Sequence, residues 1–309
     1  MESANPADLR IGPDCRNFVR DMHYIEAKSI LTSFHGGMNV YRGCTHGCVY
    51  CDARSTVYGM DHPFGDVAVK VNAPELLEKA LRSKRKPCMI GTGAMADPYQ
   101  HCEMQLEITR KCLGLIYRYG FGATLITKSD RVLRDLDLLE AINNRTKCVV
   151  QMSLTIMDEA LSRKLEPGVC PSRRRVEVLR ELQRHGIPTV VWLCPVLPYL
   201  SDTEANIVAI LDACVETGVR GIICFNMGMT LREGDREPYY AALDRHFPGL
   251  KQRYIQEYGN RYQLASPNGP ALMDLFRRRC AENGILSDPD AVFAYLNEFP
   301  QAEEPSLFG

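Results

Sequence analysis

An α/β fold with helices outside a parallel sheet is predicted by three features of the sequence. Six short runs rich in Val, Ile, Leu or Cys lie at 38–43, 87–93, 123–128, 148–154, 189–197 and 221–227, each bounded by turn residues as buried parallel strands are. Amphipathic helical patterns stand between them. The alternation repeats in order, which implies strand–helix units in series. Periodicity alone leaves a doubly wound open sheet as the alternative.

The intervening segments justify themselves one by one. Pro74 suits the first turn of a helix running to about Leu81. In 103–119, Met104, Ile108, Cys112, Leu115, Ile116 and Tyr119 recur on one face. Ser129 is placed to cap a helix over 130–142. Segment 175–184 carries Val176, Leu179 and Leu182 and stops at Gly186. Ser201 with Glu204 reads as a capping box opening a helix striped by Ile207, Ile210, Leu211, Cys214 and Val215, with Gly218 as its stop. The expected organisation is an N-terminal extension (1–35), a core (36–235) and a helical C-terminal region (236–309) packed on that core.

Composition narrows the function classes. The 309 residues carry 37 basic and 38 acidic side chains, a net charge of −1, with 45% hydrophobic residues. That balance excludes a disordered or low-complexity chain. It also lacks the basic excess usual for tight nucleic-acid binding. No apolar run approaches the roughly 20 residues of a membrane span, and MESANPADLR has no signal-peptide pattern, so no membrane association and a cytoplasmic location are expected.

Thirteen cysteines do not fit the ordinary picture. An odd number in a cytosolic chain is poor material for a disulfide framework. Ten are scattered; Cys148, Cys194 and Cys224 fall in expected strands and read as small core residues. Cys44, Cys48 and Cys51 are different, spaced Cys-x3-Cys-x2-Cys in the loop leaving the first expected strand. Three thiolates this close suit an iron–sulfur cluster. Three rather than four leave one iron of a 4Fe–4S cluster open to an external ligand, which points to chemistry and not only to electron carriage. The bland alternative is structural zinc on the three thiols plus His46, although zinc knuckles usually come as two separated pairs.

The stretch YRGCTHGCVYCDAR, with Tyr50 just before the third cysteine, resembles the cluster-binding loop of the radical S-adenosylmethionine (SAM) superfamily. The resemblance implies a partial (β/α)6 barrel. It further implies that SAM ligates the open iron of a 4Fe–4S cluster and is cleaved reductively to methionine and a 5′-deoxyadenosyl radical. GTGAMADPYQHCE, LITKSDRVLRDLDLL, LEPGVCPSRRRVEVLRELQRHGI and ASPNGPALMDLF are similar to the spore photoproduct lyase-like branch over nearly the whole chain. That likeness implies a SAM pocket made of Tyr50, Gly91, Thr92, Gly93, Lys128 and Ser153. The glycines would meet the methionine amine, and Lys128 and Ser153 the carboxylate. Arg175 and Asn226 are further candidates, the latter for adenine or ribose. Asp97, Tyr99 and Gln100 are candidates to face the substrate. An electron donor such as flavodoxin or ferredoxin is expected.

One departure bears on the reaction. Spore photoproduct lyases carry a Cys near the end of the second strand that returns a hydrogen atom to the product, where this chain reads Gly91–Thr92–Gly93–Ala94–Met95–Ala96. Cys88 lies too early and Cys102 too late. The expected function is therefore a radical SAM enzyme, lyase-like or hydrogen-abstracting, of unidentified substrate. A nucleic-acid lesion repair enzyme and a non-catalytic iron–sulfur or zinc protein remain the alternatives.

Overall fold

Residues 22–32 and 36–300 are described by the computed structural model. The N-terminal half runs β1 (Met22–Ile25), β2 (Gly37–Met38), β3 (Tyr41–Arg42), β4 (Val67–Lys70), α1 (Ala73–Ser83), β5 (Met89–Thr92), α2 (Glu103–Leu106), α3 (Ile108–Arg118), β6 (Gly122–Thr127) and α4 (Leu136–Arg145). It continues through β7 (Cys148–Ser153), α5 (Glu159–Leu165), α6 (Ser172–Arg184), β8 (Thr189–Trp192), α7 (Glu204–Glu216) and β9 (Gly221–Ile223). The C-terminal part holds β10 (Gly228–Thr230), α8 (Arg236–His246), α9 (Leu250–Tyr258), β11 (Gln263–Ala265), α10 (Gly269–Glu282) and α11 (Pro289–Asn297).

The main sheet has the order β2-β5-β6-β7-β8-β9, every pair parallel. A doubly wound sheet reverses its strand order at a switch point. This order never reverses, so crossovers of one hand carry the helices to one face and curl the sheet into a partial barrel. β2 and β9 stand at its two edges. All six residues of β7 are buried, which explains the mostly apolar run there. Its polar member, Gln151, is satisfied across the sheet: its Nε2 donates to Thr124 Oγ1 (2.7 Å) and its Oε1 accepts from Trp192 Nε1 (2.6 Å).

Several sequence expectations are corrected. The run 38–43 is not one strand. The chain leaves the barrel after β2, bends at Val40, and forms β3, which pairs antiparallel with β4 in a side sheet ordered β1-β4-β3. β4 and the β10–β11 pair were not expected; they are four and three residues long, too short for a periodic signal. The helix at 103–119 breaks at Glu107, whose φ is +52°. The cause is Glu103, whose buried carboxylate accepts from the backbone N–H of Thr109 (3.0 Å) and Arg110 (3.3 Å) and so starts a second helix. The cap of α7 is Thr203, which accepts from Asn206 N, while Ser201 accepts from Leu197 N (2.8 Å) and holds the preceding turn. Val215 is exposed rather than part of the buried α7 stripe.

The C-terminal elements reach the cysteine loop. Tyr239 and Leu243 of α8 and Tyr254 and Tyr258 of α9 form one apolar cluster with Cys48, Tyr50, Ile156 and Leu197. Residues 1–21 and 33–35 of the expected N-terminal extension lie outside the described residues, and its β1 joins the side sheet.

Candidate functional site

The cysteine loop is strapped down at both ends by backbone. Cys44 N donates to Phe64 O (3.0 Å), Val49 N to Leu165 O (2.9 Å) and Gly168 N to His46 O (2.9 Å). A side chain at Gly168 would put its Cβ 2.7 Å from Thr45 O and 2.8 Å from His46 O, so glycine is what lets the α5–α6 turn lie flat on the loop. Gln100 closes the other side, accepting from Thr45 N (3.0 Å) and donating to Gly43 O (3.3 Å).

Cys44, Cys48 and Cys51 line a chamber of about 100 Å³. Burial pushes all three thiols up, that of Cys48 to about 12, so they ionise readily only against a cationic or metal centre. The chamber opens into a cavity of about 540 Å³, and the two share Cys48, Cys51, Gly93, Lys128 and Ser153. Tyr50, Trp192, Cys194, Phe225 and Asn226 complete much of the larger one.

Behind the chamber stands a buried charge network. Glu166 accepts from Tyr50 Oη, from Ser162 Oγ (3.2 Å) and from Arg175, which is fully buried. Burial alone would raise the Glu166 carboxyl, but Arg175 and then Lys128 hold it below its ordinary value. Arg175 Nη1 also donates to Ser153 O and its Nε to Cys170 O, both at 3.1 Å. Burial opposes the Lys128 ammonium, and the nearby Cys48 and Glu166 more than offset this, so its pKa is raised. Lys128 Nζ stands 5.8 Å from the centre of the Tyr50 ring.

A second network aligns the β5 and β6 ends. Asp97 accepts from Thr127 Oγ1 (2.8 Å), Lys128 N (2.8 Å) and Tyr99 N (2.9 Å), and its Oδ2 lies 3.3 Å from His46 Nδ1. Burial would raise this carboxyl, yet His46 and these N–H donors bring it to about 2. Gly93 has φ +98°, and a Cβ there would sit 2.1 Å from Ile126 O, so no other residue lets β5 end this close to β6.

The structure therefore brings Tyr50, Gly93, Lys128, Ser153 and Asn226 around one cavity with Cys48 and Cys51. Gly91 and Thr92 lie back along β5 and do not line it. Arg175 does not line it either; it acts through Glu166 and the Ser153 carbonyl. Asp97 lines the small chamber, while Tyr99 and Gln100 are fully buried in supporting positions rather than facing open space. Sequence reasoning missed Glu166 and the pairing of His46 with Asp97. The signal for Glu166 was a carboxylate just before Pro167–Gly168, nine residues ahead of Arg175.

The donor set fits a polynuclear centre. A tetrahedral zinc ion with Zn–S bonds near 2.3 Å holds its sulfurs about 3.8 Å apart. Among the described residues, the side chains that gather within 4.8 Å of one another in that manner are His23, His62 and Asp66, not the three cysteines with His46. Three buried thiols lining one chamber suit a cluster, whose cysteines bind different irons.

The radical SAM superfamily model matches residues 38–211. An uncharacterized protein of Mycobacterium bovis is 29% identical over 256 residues, covering 80% of this chain and 73% of that protein. A radical SAM Nα-GlyT isomerase of Pseudomonas phage M6 is 25% identical over 172 residues, 56% of this chain and 34% of that one. A spore photoproduct lyase variant, solved with bound AdoMet and dinucleoside spore photoproduct, superposes with a TM-score of 0.63 at 14% identity over 88% of this chain and 83% of that one. At that identity the likeness is one of fold. No described helix is long and apolar enough to cross a membrane.

Proposed function

The chain belongs to the radical SAM superfamily, whose enzymes use SAM and a 4Fe–4S cluster, and from that premise we propose that Cys44, Cys48 and Cys51 hold the cluster and that the adjoining cavity takes SAM. The observation that carries this reading is the continuity of the cysteine chamber with a cavity ringed by Gly93, Lys128, Ser153 and Asn226. Bound there, cluster and SAM supply reductive cleavage to methionine and a 5′-deoxyadenosyl radical. The protein's own share is to orient and to exclude water. Lys128, kept cationic beside Glu166, offers a charge-assisted contact to the SAM carboxylate, with the Ser153 hydroxyl alongside. The β5 end at Gly93 offers backbone to the amine, and Asn226 a polar contact to adenine or ribose. Arg175 is a positioning residue that sets Ser153 and Tyr50.

We read residues 36–235 as the catalytic core, with 1–35 and 236–309 flanking it; the apolar cluster that Tyr239 and Tyr254 share with Cys48 and Tyr50 supports the last segment as part of the working unit. The same reading carries a cytoplasmic enzyme, a lyase-type or hydrogen-abstracting reaction, and a flavodoxin- or ferredoxin-like electron donor. Anaerobic reconstitution with iron and sulfide, then dithionite and SAM, tests it. 5′-Deoxyadenosine is expected at least tenfold above a Cys48→Ala control, and equal yields would sink the reading.

Repair of a nucleic-acid lesion is the second reading. It is favoured by the aromatic lining at Trp192, Phe225, Tyr58 and Tyr262, which suits stacking on a planar base. The net charge of −1 and the missing β5 cysteine weigh against it. Equal binding of irradiated and intact DNA, with no thymine recovered, would remove it.

A further inference from the structure

We propose that His23, His62 and Asp66 form a second, mononuclear metal site for zinc(II), one that clips the loop ahead of β4 to β1 beneath the cysteine loop. One nitrogen from each imidazole and one Asp66 carboxylate oxygen all lie within 4.8 Å of one another, and the three side chains are half-buried. Two imidazoles and a carboxylate are a borderline donor set that suits zinc, with a fourth position left for water.

The second shell is already arranged for ligation. His62 Nδ1 lies 3.2 Å from the Pro63 carbonyl, an oxygen that only accepts, so the ring proton belongs on Nδ1. Nε2 then carries a free lone pair. That atom is shielded from solvent and has no hydrogen-bond partner; the Asp61 carboxylate stands 4.0 Å away, beyond hydrogen-bonding reach. An imidazole donating one nitrogen to a backbone carbonyl and presenting the other bare is the usual state of a histidine ligand. His23 Nδ1 and Asp66 Oδ1 stand 2.9 Å apart, and the His23 and His62 ring centres 4.8 Å apart in an edge-to-face arrangement. Closing on an ion brings the donor atoms to roughly 3.3 Å, the edge of a tetrahedron with bonds near 2 Å.

The site's position gives it a consequence. His62 and Asp66 flank Phe64, whose carbonyl accepts the Cys44 N–H at 3.0 Å. Gly43 lies so close that an added Cβ would meet Phe64 O at 2.7 Å and Asp66 O at 3.0 Å. A metal tying this loop to β1 therefore holds the start of the cysteine loop.

The test uses the full chain with its iron–sulfur cluster loaded, titrated anaerobically with Co²⁺ as a spectroscopic stand-in and with Zn²⁺ as competitor. The expected result is one saturable Co²⁺ per chain, whose difference spectrum against the cluster-loaded chain shows weak visible bands and no new cobalt–thiolate absorption, with displacement by Zn²⁺. His62→Ala and Asp66→Asn should each weaken binding about a hundredfold at unchanged iron content. Asp66→Asn keeps an acceptor for His23 on a partly exposed side chain, so it guards against a failure to fold. No saturable Co²⁺, a new cobalt–thiolate band in the difference spectrum, or both variants binding as tightly as the unaltered chain would overturn the proposal.

Discussion

The two sides of the large cavity are built from opposite chemistry. On one side Tyr50, Glu166 and Arg175 form a buried, fully hydrogen-bonded chain that reaches Ser153 and faces Lys128. On the other, Trp192, Phe225 and Phe293 meet through ring contacts 6.0 to 6.2 Å apart, and Phe225 is 55% exposed. Directional, desolvated contacts fix one geometry and are costly to break. Ring contacts at a surface tolerate rearrangement. On the function proposed above, the buried side would hold the cofactor in one pose and the open side would accept the substrate.

The largest expected contrast comes from the buried side. Arg175→Ala leaves the Glu166 carboxylate buried without its counter-ion, which costs about 3–5 kcal/mol. Anaerobic urea unfolding of the cluster-loaded chain measures it; a loss under 1 kcal/mol would show that the pair is not what holds this side together.

A smaller effect is expected from pH, again on the polar side. His101, whose Nδ1 meets Thr45 Oγ1 at 2.8 Å, has its pKa lowered from 6.5 to about 4, first by burial and then by Arg131 and His46. Below about 6.5 the unfolded chain takes up a proton that the folded chain refuses until about 4. Stability is therefore full above that window and declines as pH falls through it, by about 1–2 kcal/mol after solvent screening. The urea midpoint between pH 7.5 and 4.5 should drop for the unaltered chain and flatten for His101→Gln.

The smallest effect belongs to the open side. Phe225→Ala should change stability by no more than about 0.5 kcal/mol, because the ring is largely exposed. A loss above 2 kcal/mol would mean that the aromatic lining is structural and would erase the contrast.

Legibility in the sequence follows the same division. β5 to β9 are readable because burial on both faces forces mostly apolar runs, as in Cys148–Ser153. β2 and β3 merge in the sequence because the bend between them falls at Val40, an apolar residue that continues the run. The Glu107 break is invisible because its cause, the Glu103 carboxylate reaching Thr109 N, is a tertiary placement of a residue that looks like any exposed helix glutamate. In the site, cysteine spacing is local and can be read directly. Lys128 and Ser153 are legible as strand ends. Glu166 and the His46–Asp97 contact are not, since their burial and partners lie across 116 and 51 residues of chain.

On the function proposed above, the charged, buried side holds SAM and the aromatic side does not. This is tested most directly by the SAM dependence of 5′-deoxyadenosine formation in Lys128→Met and Phe225→Ala, measured side by side without added substrate. The half-saturating SAM concentration should rise about tenfold or more in Lys128→Met, as loss of a charge-assisted contact implies, and change less than about twofold in Phe225→Ala. An unchanged value in Lys128→Met, or an equal or larger rise in Phe225→Ala, would contradict it.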